Sequence, residues 1–297
     1  MEDLGAARVL TNRGAAEQGI TRSILGSSFT RVLHGVHVHN EVEQSLIVRC
    51  AAAGLVLPGD AAFSDLTATE LLELPLPFGV PQNRPLDVTV APPLDRPRGK
   101  GIRGRRRALG ADEVMLINGM RVTVASRLFV DQAATLDEAN LIVLGDAILR
   151  KRRATIAELE NAIRAADGQR GVVRARRALL RLDGKSASAP ESLVRVRIED
   201  AGLPRPAANV DVFDSWGGWI ACPDLLYKEA KIAIEYEGEH HREKRQFGLD
   251  LARDQMLILA GFVVVRAGPR DMPATATMLP DTLRQLLEDR APWMLRN

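Results

Sequence analysis

The stretch "IAIEYEGEHH" (232–241) runs an apolar strand signal straight into a cluster of carboxylates and histidines. Glu235 and Glu237 are two apart, so on a strand their side chains leave the same face, with Cβ atoms about 7 Å apart at a rise of about 3.3 Å per residue. Ile232, Ile234 and Tyr236 take the opposite face. Folding "CPDLLYK" back on "KIAIEYEG", through a turn centred between Glu229 and Ala230, sets Asp224 directly opposite Glu235. Cross-strand partners have Cβ atoms about 4.5–5.5 Å apart, and like charges there are destabilising. At about 5 Å and an effective dielectric near 20, two carboxylates repel by roughly 3 kcal/mol, and a third at about 7 Å adds roughly 2 kcal/mol. That is a large share of a net stability of about 5–15 kcal/mol. A raised pKa, full solvation at the strand end or a bound divalent cation would relieve it. Oxygen-only ligands favour magnesium or manganese over zinc, and Mg²⁺ takes one or two protein carboxylates while keeping several waters. Such an ion polarises a phosphoryl oxygen and acidifies a bound water. Attack of a metal-activated water, with Mg²⁺ (or Mn²⁺) as the cofactor, is the chemistry such a cluster would support. His240 and His241 follow within loop reach, where a histidine can pass a proton to a leaving alkoxide. The competing reading is a solvated strand end neutralised by Lys228, Lys231, Arg242 and Arg245.

The elements that must position these groups follow a helix, clustered strands, helix order. "ESLVRVRIEDAGL" has the spacing of an amphipathic helix, "AANVDVFD", "CPDLLYK" and "KIAIEYEG" read as strands, and "KRQFGLDLARDQMLILAG" reads as a helix closed by Gly261. "FVVVRAG" is a buried strand and "PDTLRQLLEDR" a last helix. Asp250 and Arg253 stand one helical turn apart, either bracing the site, with Arg253 near a scissile phosphate, or forming an ordinary intrahelical ion pair. "LDGKSASAP" (182–190) has the composition of a linker, which places a domain boundary before an α/β domain at 187–291.

The rest of the chain reads as two further parts. Over 1–40, one helix at 2–10, a second in "NRGAAEQGI", a turn at Gly19, a third helix capped by Thr21 and a hairpin around Gly35 outline a small winged helix-turn-helix. In that geometry Arg22 and Arg31 lie near phosphates. His37 and His39 share a face with no third ligand, so they read as polar residues of the wing rather than a metal site. Residues 41–185 form a mixed α+β and helical middle region, with strands at "LDVTVAP" and "EVMLINGMRVTVA" flanking a proline- and arginine-rich loop at 92–107.

With 297 residues, 46% hydrophobic and 26% charged, the chain is long enough for two or three ordered domains, and the fold class expected is α/β overall. A net charge of +2 excludes a polycation, yet "RPRGKGIRGRRRALG" (96–110) and "RGVVRARRALLR" (170–181) concentrate arginines. Arginine's planar fork suits phosphate, so Arg103, Arg105 and Arg106 are taken as nucleic-acid contacts and DNA as the partner. The start "MEDLGAARVL" lacks an apolar h-region, no apolar run is long enough to span a bilayer, and Cys50 and Cys222 are too few for a disulfide framework. A cytoplasmic protein with no membrane partner is expected, and the reading admits a homodimer.

Several of these motifs come together in one resemblance. Glu191 to Arg195 (E-S-x-x-R), Asp224, Glu235 to His241 and Asp250 to Arg253 resemble, in order, the motifs of the very-short-patch-repair-type endonuclease-like domain of the PD-(D/E)XK nuclease superfamily. The likeness covers about 187–291. It implies a restriction-endonuclease-like α/β domain in which the helical acid Glu191 joins Asp224 and Glu235 around Mg²⁺, with Glu237 binding the ion or its water and His241 as acid or base. The superfamily's lysine, two residues after the strand acid, is replaced by Glu237. "GITRSILGSSFTRVLHGVHVHN" is similar to the AbiEi-antitoxin winged-helix family. The resemblances thus imply a Mg²⁺-dependent DNA endonuclease or, since the lysine is missing, a DNA-binding regulator of the antitoxin type carrying a degenerate nuclease-like domain.

Overall fold

The structure, a computed structural model, describes residues 9–238 and 253–296. The chain is mixed α/β and divides into two compact units, Met1–Ala134 with Ala157–Gly171, and Thr135–Ile156 with Val172–Asn297.

The first unit opens with strand β1 (Val9–Thr11), helices α1 (Asn12–Glu17) and α2 (Arg22–Ser28), and strands β2 (Phe29–Leu33) and β3 (Val36–His39). The helix expected over 2–10 is not formed at its described end: 9–11 is a strand, paired antiparallel with β3, because Leu10 must reach a small core with Ala15 and Phe29. The third-helix expectation is met, since the Thr21 hydroxyl caps α2 by accepting from the Ile24 N–H at 3.4 Å. Gly35 turns the β2–β3 hairpin with φ +72°.

Helix α3 (Leu46–Gly54) is followed by a six-stranded mixed sheet in the order β6-β7-β5-β4-β9-β8. Its strands are β4 (Ala62–Phe63), β5 (Leu86–Val90), β6 (Arg98–Gly99), β7 (Ile102–Arg106), β8 (Val114–Ile117) and β9 (Met120–Thr123), with α4 (Asp65–Leu71), α5 (Ala125–Gln132) and α7 (Ile156–Ala165) in the same part of the chain. The arginine-rich stretch is thus not all loop. Its second half is β7, paired in parallel with β5, which can enter a sheet because buried acids neutralise its arginines.

The second unit holds α6 (Glu138–Arg150), α8 (Val172–Leu179), α9 (Ala189–Asp200), a sheet ordered β10-β13-β14-β15, a separate hairpin β11–β12, and helices α10 (described over 253–259) and α11 (Met278–Arg290). The sheet strands are β10 (Ala207–Ala208), β13 (Leu225–Tyr227), β14 (Ile232–Tyr236) and β15 (Val263–Ala267), antiparallel except for the parallel β14–β15 pair. The hairpin strands are β11 (Val212–Phe213) and β12 (Trp219–Ala221); the latter lies outside the three strand segments expected from the sequence.

Strand alternation splits the core in two. Leu225, Tyr227, Ile232, Ile234 and Val265 pack with Val194 and Ile198 of α9 and Leu283 and Leu287 of α11. Leu226 and Ala233 face the other way, toward Val212 and Ile220 of the hairpin and Leu257 of α10. The stretch 182–190, expected as a linker, lies inside this unit. The Asp183 N–H donates to Asp146 on α6 at 2.6 Å, Arg150 donates to the Ser186 carbonyl at 3.0 Å, and Ser186 is fully buried.

Candidate active site

The hairpin register expected for the two acids is formed. Leu225 pairs with Ile234, Leu226 with Ala233 and Tyr227 with Ile232, and Lys231 N–H closes the turn on the Lys228 carbonyl. One step further along this register Asp224 faces Glu235. Its backbone still belongs to the sheet, for the Asp224 carbonyl accepts the Asn209 N–H at 3.0 Å. Its side chain reaches across the hairpin, where Oδ2 accepts the Tyr236 N–H at 2.7 Å. Asp224 and Glu235 belong to the face of Leu226 and Ala233, which the β11–β12 hairpin and α10 cover.

There the two acids line a cavity of about 280 Å³ with Trp219, Ala221, Cys222, Arg253, Asp254 and Arg266. Arg266 arrives because β15 runs parallel to β14 and pairs residue 266 with 235. Its guanidinium is ion-paired with both Glu237 and Asp254, tying β14, β15 and α10 together. The Glu237 N–H continues the ladder by donating to Ala267 at 2.8 Å. Glu237 therefore leaves on the Glu235 face, as expected, but its carboxylate meets an arginine.

Acids surround the Cys222 thiol in this cavity. The Cys222 thiol is pushed above its ordinary pKa by desolvation first, then by Asp211, which also hydrogen-bonds it, and by Glu235 and Asp224. The Trp219 indole N–H donates to Asp211 at 2.7 Å, which pins the hairpin beside this pocket.

Glu191 belongs to the opposite side of the sheet. It lies on α9, whose Val194 and Ile198 pack on the other core, and it is itself buried. Its Oε2 accepts the Ala187 N–H at 2.7 Å and the Asn209 amide at 3.0 Å. Asn209 in turn holds the Asp224 backbone, so Glu191 reaches Asp224 through a positioning contact. Among the described residues no group of three His, Cys, Asp or Glu side chains is arranged to hold a metal ion, so the full set of Glu191, Asp224 and Glu235 is not gathered. Two carboxylates lining one pocket nonetheless meet the modest demand of Mg²⁺, which takes one or two and fills its octahedron with water. His240, His241 and Asp250 lie outside the described residues.

Arg195 of the E-S-x-x-R motif is fully buried and structural, bridging Asp146 at 2.9 Å and Glu199 at 2.5 Å. Arg253 is exposed at the cavity. In the first unit Arg22 is exposed on α2, whereas Arg31 contacts His34 Nδ1 at 2.7 Å. His37 meets Asn12 and His39 stacks edge-on against Phe29, which fits polar wing residues. Arg103 and Arg105 differ from the expectation of open phosphate contacts: Arg105 binds buried Asp65 at 2.9 Å, and both approach buried Asp87, at 3.6 and 3.7 Å. Arg106 points to the other face and stays exposed.

Trp219, Asp211, Asp254 and Arg266 were not singled out from the sequence. Arg266 carried a signal, since one arginine inside the apolar run "FVVVRAG" must face an acid or solvent.

Two relatives match most of the chain, both uncharacterised proteins from strains of Mycobacterium tuberculosis. Each is 28% identical over 250 residues, covering 84% of this chain and 88% of the relative. No family model matches the chain, and no solved structure matches it.

Proposed function

We propose that the second unit is a Mg²⁺-dependent phosphodiester hydrolase acting on DNA, with Asp224 and Glu235 as its metal-holding acids. The observation that carries this reading is the cross-strand convergence of these two carboxylates in one pocket that also presents Arg253 and Arg266. Such an ion would polarise a phosphoryl oxygen and acidify a bound water. The chain's own groups do the positioning. The Tyr236 N–H holds the Asp224 carboxylate, and the Glu237–Arg266–Asp254 bridge fixes strand, strand and helix around the cavity. Arg253, at the mouth, is placed to take the non-bridging oxygens of a phosphate.

Supercoiled-plasmid nicking with and without Mg²⁺ tests this reading. Glu235→Ala should lower the nicking rate by at least about 100-fold, given that even outer-shell changes at metal sites cost about 10–100-fold. Undiminished cutting by that variant would sink the assignment.

One observation favours a second reading. Where the resembled nucleases place a lysine, Glu237 is locked to Arg266 and cannot act as the cation that orients water. A DNA-binding regulator with a degenerate nuclease-like unit follows from that, with exposed Arg22 among its contacts. DNA binding without cutting under Mg²⁺ or Mn²⁺ would favour it.

A further inference from the structure

We infer that the first unit carries a polyphosphate-binding pocket, separate from the acidic site and independent of the hydrolase reading, built on Arg96, Arg98 and Arg106. A cavity of about 550 Å³ is lined by these three residues, by Arg105 and Arg107, and by Asp95 as its one acid. The five guanidiniums divide into two sets. Arg105 and Arg107 are anchored, for both bind the buried Asp65 at 2.9 and 3.0 Å, and Arg107 also binds Asp131 at 3.0 Å. Arg96, Arg98 and Arg106 have no ion pair or hydrogen-bonded side-chain partner among the described residues, and all three are exposed.

The second set is held in place by backbone rather than by acids. On β7, Gly104 shares the face of Arg106, and Pro97 lies against it so closely that a Cβ at 104 would collide with the Pro97 backbone. Arg96 and Arg98, on either side of Pro97, line the same cavity as Arg106. β6 then sets Arg98 directly across from Arg103.

The ligand chemistry follows from the donor set. Three free planar forks suit several phosphate groups in a row better than one carboxylate. Two sources supply consecutive phosphates, a free polyphosphate and a nucleic-acid backbone, and the pocket as built accepts either.

Calorimetric titration with inorganic tripolyphosphate, and gel-shift of a short duplex and a short single strand across a salt series, test the inference. The variant is Arg96→Gln/Arg98→Gln/Arg106→Gln in the full chain. A control, Arg164→Gln/Arg270→Gln/Arg296→Gln, removes the same charge from exposed positions elsewhere. The pocket variant should lose at least tenfold in affinity for one or both probes while the control stays near wild type. Gly104→Ala, which removes no charge, should weaken the same probe, and circular dichroism checks that it is folded. Loss confined to tripolyphosphate assigns a free polyphosphate. Loss on DNA, with the slope of log K against log salt falling by about 2–3, assigns a backbone. Equal weakening in pocket variant and control, or unchanged binding in the pocket variant, overturns the site.

Discussion

Two buried acids with opposite circumstances show how much a single partner decides. Asp146 has its pKa raised by burial, against which the fully buried Arg195 guanidinium works at 2.9 Å. Arg195→Ala strands that carboxylate, so urea unfolding should show a loss of about 3–5 kcal/mol. Asp87 has only distant arginines, at 3.6 and 3.7 Å, and burial, then Asp65, pushes its pKa up to about 6. The folded state therefore holds a proton that the unfolded state releases, and this group's contribution to stability falls as pH rises from about 4 to about 6. Asp87→Asn should remove that slope, at most about 1.4 kcal/mol per pH unit, which denaturation across the window would read. An unchanged slope would show that Asp87 is not the titrating group. At this scale Asp224 and Glu235 were legible because strand spacing and hairpin pairing are local. The Arg266 partnership of Glu237 was not, since it depends on a parallel pairing across α10.

Among the elements, hairpins follow local chemistry most closely. Asn118 and Gly119 join β8 to β9 with φ +49° and +77°, the left-handed pair a tight two-residue turn demands. An added Cβ at Gly119 would meet nothing within 4 Å, so strain comes from φ alone. Gly119→Ala should lower stability by about 1 kcal/mol in thermal or chemical unfolding; no change would mean that the turn relaxes. Helix spacing likewise announced α9, in "ESLVRVRIEDAGL". β12 escaped such a reading, and so did β1 and β7. β1 was masked by a helical apolar pattern but is drawn into a sheet by the burial of Leu10. β7 looked like a solvated basic loop, because nothing in "GIRGRRR" shows that Asp65 and Asp87, far back in the chain, pair with Arg103, Arg105 and Arg107.

At the scale of the whole molecule, the acidic pocket and the arginine pocket belong to different compact units. Their functions should separate: Glu235→Ala should abolish Mg²⁺-dependent nicking and leave tripolyphosphate affinity within about twofold, as independent sites do. A large loss of both in that single variant would mean that the units act as one. The division itself departs from linear order, since 135–156 and 172–182 join the C-terminal segment through Asp146–Arg195 and the Arg181 bridges to Glu138 and Glu199. The amino-acid order alone determined the mixed α/β class, most of the elements and the meeting of Asp224 with Glu235, because periodicity, caps and hairpin register act over a few residues. Only the tertiary structure decided which charges remain open for ligands. Each arginine's freedom at Arg96, Arg98 and Arg106, and each one's capture at Arg103, Arg105, Arg195 and Arg266, depends on acids brought in from other elements by the burial of apolar faces.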